Sequence, residues 1–247
     1  MEPGIIGNLM LESFGVTDPG CVRNNNEDSF LVDPGAGLYL VADGMGGAQA
    51  GERASHIATE TLREIVHEEE DGMNPAKLVS AFHEANRRIK QEASTDSKLE
   101  GMGTTMVVAV EVAGELLIAS VGDSRAYQLS NGALSQITED QSWINEVGRR
   151  LGLAEEVLRV HPMRHVLTMA IGVSENLRVN SYAVTPEPGT TILICSDGLH
   201  GVVSEANIAE VLRQQQTLEE RGKRLIELAR AQGAPDNVTA VLIQAKA

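Results

Sequence analysis

The chain has 247 residues, 42% of them hydrophobic but only 3% aromatic, with a formal net charge of -15, so it can bury a sizeable aliphatic core in one large domain or two small ones. That acidity excludes a nucleic-acid partner, which needs clustered Lys and Arg to displace phosphate counterions, while single phosphates stay within reach of a bound metal. Two cysteines, Cys21 and Cys195, neither in a CxxC pair, exclude a disulfide framework.

The first 14 residues lack a basic region followed by a long apolar stretch, so no signal peptide is expected and the protein reads as cytoplasmic. Leu38-Tyr39-Leu40-Val41 predicts a buried strand. Ala54, Ile57, Ala58, Leu62, Ile65 and Val66 then recur at helical spacing to about residue 69. Asn74-Pro75 supplies a cap and a first-turn proline for a second helix, ending near residue 93. Strands follow over 105–112 and 115–121 around a tight turn at Ala113-Gly114; Glu111 and Glu115 interrupt this apolar region, so it is not a membrane span. Asn131-Gly132 marks a hairpin between 125–129 and 133–137.

Residues 138–168 are irregular and charged, a long excursion with room for short helices, of a kind that is often functional. Strands return over 177–184 and 190–195, with Cys195 read as a small core residue. Ser204 opens a helix, Thr217 and Glu220 have capping-box spacing for another that ends by Gly233, and 237–244 forms the last strand. Hairpins and segregated helices predict an α+β fold with mainly antiparallel sheets. No linker, repeat or low-complexity tract divides the chain, so 1–247 is expected to be a single domain.

An apolar run that ends in a small residue, then Asp, then a small turn residue occurs three times: Val41-Ala42-Asp43-Gly44, Val121-Gly122-Asp123-Ser124 and Cys195-Ser196-Asp197-Gly198. A mirror version, Pro235-Asp236-Asn237, precedes the last strand. Each alone is ordinary turn chemistry. If the strand ends gather, however, four carboxylates crowd together and require a compensating cation. Oxygen ligands without His or Cys select Mg²⁺ or Mn²⁺ over zinc or copper. Near the N-terminus, Arg23-Asn24-Asn25-Asn26-Glu27-Asp28 is either a surface ion pair or a guanidinium fork for a substrate phosphate beside water-holding carboxylates.

These segments together resemble the PPM family of metal-dependent protein phosphatases, the type 2C Ser/Thr phosphatases, in their compact bacterial form. The matching motifs are Thr17 to Asp28, Val41-Ala42-Asp43-Gly44-Met45-Gly46-Gly47, Gly103-Thr104-Thr105, Val121-Gly122-Asp123-Ser124-Arg125, Asp140-Gln141-Ser142, Cys195-Ser196-Asp197-Gly198-Leu199 and Asp236-Asn237-Val238-Thr239, in family order over nearly the whole chain. The resemblance implies a four-layer αββα sandwich with a metal centre at one end. It implies that Asp43 bridges two ions, that the Gly44 carbonyl binds one of them, and that Asp197 and Asp236 hold the other. Glu27 and Asp28 would act through waters, Asp123 with Asp197 would form a weaker third site, and Asn237 would orient Asp236. Arg23 would bind the phosphate, and 138–168 would be the variable flap.

The resemblance also implies hydrolysis of phosphoserine and phosphothreonine on proteins by a metal-bridging water or hydroxide, without a phosphoenzyme. The expected substrate is a phosphoprotein made by a bacterial Ser/Thr kinase, and the expected state is a monomer without membrane attachment. The sequence agrees negatively: no cysteine-phosphatase loop, Walker motif or GxSxG elbow is present. Two departures matter. Family members carry a histidine, proposed as general acid, soon after the Gly-Gly or directly after the Asp-Gly; here those positions are Ala48 and Met45. That role is left open between His200, which otherwise reads as a polar surface residue, and a metal-bound water. Gln141 stands where many relatives have histidine, with only local effects in the flap expected. The competing readings are a pseudophosphatase that binds phosphoproteins without hydrolysing them, and a phosphatase of small phosphometabolites.

Overall fold

The computed structural model describes residues 4–6, 9–46 and 50–246. Strands β1 (Gly4–Ile6), β2 (Leu9–Asp18), β3 (Asp28–Asp33) and β4 (Leu38–Met45) lead into helices α1 (Ala50–Glu68) and α2 (Pro75–Ala93). The short β5 (Gly103–Thr104) precedes the hairpin β6 (Met106–Val112) and β7 (Glu115–Val121) and the hairpin β8 (Arg125–Ser130) and β9 (Ala133–Gln136). Then come α3 (Glu155–Val160), β10 (Asn180–Val184), β11 (Thr191–Cys195), α4 (Asp197–His200), α5 (Glu205–Leu212), α6 (Leu218–Ala231) and β12 (Val238–Lys246).

Two antiparallel sheets result. One runs β1-β2-β12-β11-β8-β9 and the other β10-β7-β6-β4-β3, with β5 attached to β4. They stack face to face, with α1 and α2 outside one sheet and α4, α5 and α6 outside the other. The α+β sandwich expected from sequence is the observed architecture.

Three cores separate the four layers, and the strands feed them alternately because strand side chains alternate in direction. Along β4, Leu38, Leu40 and Ala42 face α1 and α2, whereas Tyr39 and Val41 face the other sheet. Along β12, Ala240 and Leu242 pack under α6 while Val241 and Ile243 enter the space between sheets. Both faces are covered, which is why these strands read as unbroken apolar runs. Cys195 is part of the core beneath α5 and α6, where burial pushes its thiol up to about 12.

Local signals held where their chemistry is local. Asn74 caps α2 by accepting from the Lys77 amide, with Pro75 in the first turn. Ala113 and Asn131 sit at positive φ of 48° and 50°, each followed by a glycine, as two-residue hairpin turns require. The strand expected over 177–184 begins only at Asn180. The regions around β2 and β3 carried no strand expectation: β2, reading LMLESFGVTD, serves two cores at irregular positions and takes its order from pairing with β12.

The excursion is a closed loop with a paired root. Ser142 bridges Leu167, Trp143 donates to the Val166 carbonyl at 2.8 Å, and Thr168 donates to the Gln141 carbonyl at 2.9 Å. Inside it lie a π-helical turn over Ile144–Gly148 and α3. Gln141 is buried, and its effect is not local to the flap. Its Oε1 accepts from the Gly122 amide at 2.9 Å and its Nε2 donates to the Arg178 carbonyl at 2.9 Å, so it ties the flap to the turn that carries Asp123.

In α6, Thr217 accepts from the Glu220 amide while Glu220 accepts from the Thr217 amide, completing the capping box. Thr217→Ala removes the cap acceptor and is expected to cost about 1 kcal/mol; a urea unfolding midpoint lowered at unchanged slope is the readout.

Candidate metal centre

The strand ends do gather. A cleft of about 700 Å³ at one end of the sandwich is lined by Arg23, Glu27, Asp43, Gly44, Met45, Gly46, Thr105, Asp123, His165, Leu167, Asp197, Gly198, Gly201, Val202, Pro235 and Asp236. Asp43 and Asp28 are register partners on β4 and β3, so two carboxylates stand directly opposite each other, a destabilising arrangement without a counter-ion. Asp197 begins α4, just beyond the end of β11, and its carboxyl lies within hydrogen-bonding reach of Asp43.

Glycine is needed beside the acids for closeness, not for turning. Gly44 lies within β4, and a Cβ there would meet the Gly51 carbonyl oxygen at 2.1 Å. Gly198 lies in α4, and a Cβ there would meet the Asn237 carbonyl oxygen at 1.8 Å. The tight-turn explanation of these Asp-Gly pairs therefore fails at both positions. The backbones of β4 and α1, and of α4 and the start of β12, touch directly, and that contact sets the spacing of the acids.

Hydroxyls and an amide side chain fix the backbone around them. Thr105 Oγ1 accepts from the Asp43 amide at 3.2 Å and pairs with Ser124 Oγ at 2.7 Å, while Thr104 Oγ1 donates to the Asp43 carbonyl at 2.8 Å. Ser196 and Thr239 both donate to Asp28 Oδ2, at 2.8 and 2.6 Å. Asn237 does more than orient Asp236. Its amide nitrogen donates to Asp236 Oδ1 at 2.9 Å, but its side chain accepts from the Glu27 amide and donates to the Pro19 and Asn25 carbonyls. It thereby anchors the 19–27 segment to the last strand.

Electrostatics mark the cluster as incomplete in itself. Burial raises the Asp28 carboxyl to about 7, reinforced by Asp197 and Asp236 against its two hydroxyl donors. Burial raises Asp123 to about 8, with Asp197 and Asp140 adding to it. Asp43 is pushed well above the carboxylate range by burial and then by Asp28, Asp197, Asp123 and Asp236; Asp197 is raised by burial and by Asp236. Asp28 Oδ1 is buried and has no hydrogen-bond partner. An orphaned carboxylate oxygen among mutually repelling acids fits hard divalent cations. Among the described residues no three His, Cys, Asp or Glu side chains converge closely enough to hold an ion by themselves. That donor set suits ions that keep much of their water shell, as Mg²⁺ does.

The remaining residues divide between the cleft and its surroundings. Arg23 Nη2 pairs with Asp236 Oδ2 at 2.7 Å, and this hydrogen bond, with the Asp236, Glu27 and Asp43 charges, raises the guanidinium's pKa; the side chain remains about half exposed at the rim. Arg125 is not available to substrate. Burial opposes its charge, but two hydrogen bonds to Asp140 overcome that and hold the start of the flap. His200 lies outside the cleft lining: its Nε2 meets the Asp123 carbonyl at 3.0 Å, and burial lowers its pKa to about 4. Met45 lines the cleft, whereas Ala48 lies outside the described residues. The supporting hydroxyls of Thr105, Ser124, Ser196 and Thr239 stood inside the recognised motifs without an assigned role, and His165 and Leu167 belonged to no motif.

Comparison with known proteins gives a consistent result. A family model described as protein phosphatase 2C matches residues 22–242. The serine/threonine phosphatase stp of Listeria innocua is 35% identical over 235 residues, covering 92% of this chain and 93% of its own. The serine/threonine protein phosphatase PstP of Mycobacterium tuberculosis is 37% identical over 95% of this chain and 45% of its own length. The crystal structure of that organism's PstP/Ppp superposes with a TM-score of 0.88 at 35% identity, covering 96% of this chain and 99% of that one. A PstP catalytic domain in complex with two manganese ions superposes at 0.86 with 34% identity, covering 97% and 100%.

The raised carboxyls give a pH prediction for the metal-free protein. A carboxyl whose folded pKa exceeds its unfolded value near 4 stabilises the fold fully below that value and loses the contribution as pH rises through the folded pKa. For Asp28 the window runs from about 4 to about 7. In EDTA, Asp28→Asn should therefore gain thermal stability over the wild type between pH 5 and pH 8 and show little difference at pH 4. A gap between the two melting curves that does not change with pH would contradict this.

Proposed function

The chain belongs to the protein phosphatase 2C family and is a metal-dependent serine/threonine protein phosphatase, and from that premise we propose how its cleft works. Asp43, central in the cluster, would be shared by two cations, with the Gly44 carbonyl beside it. Asp197 and Asp236 would hold the second ion, Glu27 and Asp28 would act through water, and Asp123 with Asp197 would take a weaker third. Two Mg²⁺ or Mn²⁺ ions, when bound, supply Lewis-acid charge that polarises phosphoryl oxygens and lowers the pKa of water. Arg23 would turn its free N–H groups to the phosphate while Asp236 holds it at the rim. Asn237 would keep Glu27 and Asp28 in register with Asp236, and the flap would exclude bulk water. The carrying observation is the Asp28–Asp43 cross-strand pair with its orphaned oxygen on Asp28, of which Asp43 lines one cleft with Asp123, Asp197 and an arginine.

A polypeptide substrate is favoured over a small phosphometabolite by what surrounds the cleft. Leu151, Val157, Val160, Met163, Val166 and Val173 are six of the eight exposed large hydrophobics among the described residues, and all lie on or beside the flap. An exposed apolar flap of this kind, which reaches the cleft lining through His165 and Leu167, suits a protein chain carrying its phosphorylated side chain into the cleft. We assign the whole chain to one catalytic unit, with 138–168 as its flap, that works as a monomer in the cytoplasm on the products of a bacterial Ser/Thr kinase. No helix among the described residues is long and apolar enough to cross a membrane.

Phosphate release from a phosphothreonine peptide, with Mn²⁺, with Mg²⁺ and with EDTA, is the test. Turnover should require either metal and fall at least ~10²-fold in Asp197→Ala. Asn237→Ala should lose ~10–100-fold, as outer-shell changes do. A folded wild type that binds the peptide without turnover under any of these conditions would make it a binding module instead, and faster turnover on sugar phosphates would move the substrate class.

A further inference from the structure

Resting on the phosphatase reading above, we propose that His165 is the general acid that protonates the departing serine or threonine oxygen. His200 lies outside the cleft lining, with its Nε2 at the Asp123 carbonyl. Among the described residues lining the cleft, His165 is the only imidazole. An imidazole is the side chain best suited to donate a proton near neutral pH.

Direction supports the assignment. Displacement at phosphorus places the incoming and departing oxygens roughly in line. The acids lining the cleft come from the strand ends and α4, whereas His165 and Leu167 reach its lining from the flap; in the proposed step the departing oxygen lies on the flap side. His165 is on the flap, next to its paired root: Val166 donates to the Met163 carbonyl at 3.1 Å and accepts from the Trp143 amide at 2.8 Å. The neighbouring backbone is therefore held at the cleft while the His165 side chain stays exposed to it. Electrostatic attraction links His165 to Asp197 on the lining of the same cleft.

The step balances. Water forms the new O–P bond and loses a proton to solvent; the bond from phosphorus to the side-chain oxygen breaks, and its electron pair stays on that oxygen. His165 transfers its proton there, releasing a neutral hydroxyl and inorganic phosphate, and regains a proton from solvent.

The experiment compares His165→Gln with wild type in Mn²⁺ on two substrates. A phosphothreonine peptide has an alkoxide leaving group that needs a proton, and p-nitrophenyl phosphate has one that leaves without it. The kcat on the peptide should fall about 10²-fold, while p-nitrophenyl phosphate turnover stays within about 3-fold, because only one of the two needs the acid. The Kd for a non-hydrolysable phosphonate version of the peptide, measured by calorimetry, should not change. Retained turnover of p-nitrophenyl phosphate also shows that the variant folds and loads metal. Equal losses on both substrates, weakened phosphonate binding, or no loss on the peptide would overturn the assignment. A wild type inert on both substrates would instead overturn the phosphatase reading, and this step with it.

Discussion

Carboxylates that repel one another, held where they cannot separate, are the constraint on which this structure turns. Asp28 and Asp43 are opposed by strand register, Asp197 is fixed by the contact of Gly198 with Asn237, and Asp123 follows a turn pinned by Gln141. Asp43, Asp123 and Asp197 cannot relax outward, because the strands that carry or precede them, β4, β7 and β11, are buried over most of their length. The repulsion is thus stored in the fold and appears as raised pKa values and an unpartnered oxygen. Divalent cations bound there would discharge it, and the apolar layers supply the rigidity that keeps the cluster together.

The flap is coupled to the same cluster at its root. Gln141 bonds the Gly122 amide, and Asp140 receives two hydrogen bonds from Arg125, on the strand that follows Asp123. A displacement of the flap root would therefore be felt by the Asp123 turn before any other acid. The body of the excursion, with its π-turn and exposed apolar side chains, has few ties to the sandwich, as a substrate-facing segment needs.

Much of this could be read in the chain because the signals are short-range. The Asn74 cap, the Asn131-Gly132 hairpin and the Thr217–Glu220 box each specify their own geometry within four residues, and the ordered Asp motifs pointed to a metal-dependent fold. What could not be read depended on residues far apart. β2 has little pattern of its own and gains order from β12. The glycines beside Asp43 and Asp197 looked like turn residues because nothing local announces that another backbone passes within van der Waals contact. His200 sits next to a recognised motif and His165 does not, yet the fold sets the first against the Asp123 carbonyl and brings the second into the cleft lining.

The two ends of the described chain meet at the centre of the molecule. β12 pairs with β2 along its whole length, and Asn237 holds the Pro19, Asn25 and Glu27 backbone. During synthesis, the first acids to emerge have no fixed geometry until the last strand slots between β2 and β11. Such long-range closure comes late in folding. A chain synthesised only as far as α6 therefore carries Asp28, Asp43, Asp123 and Asp197 without the strand that brings them together.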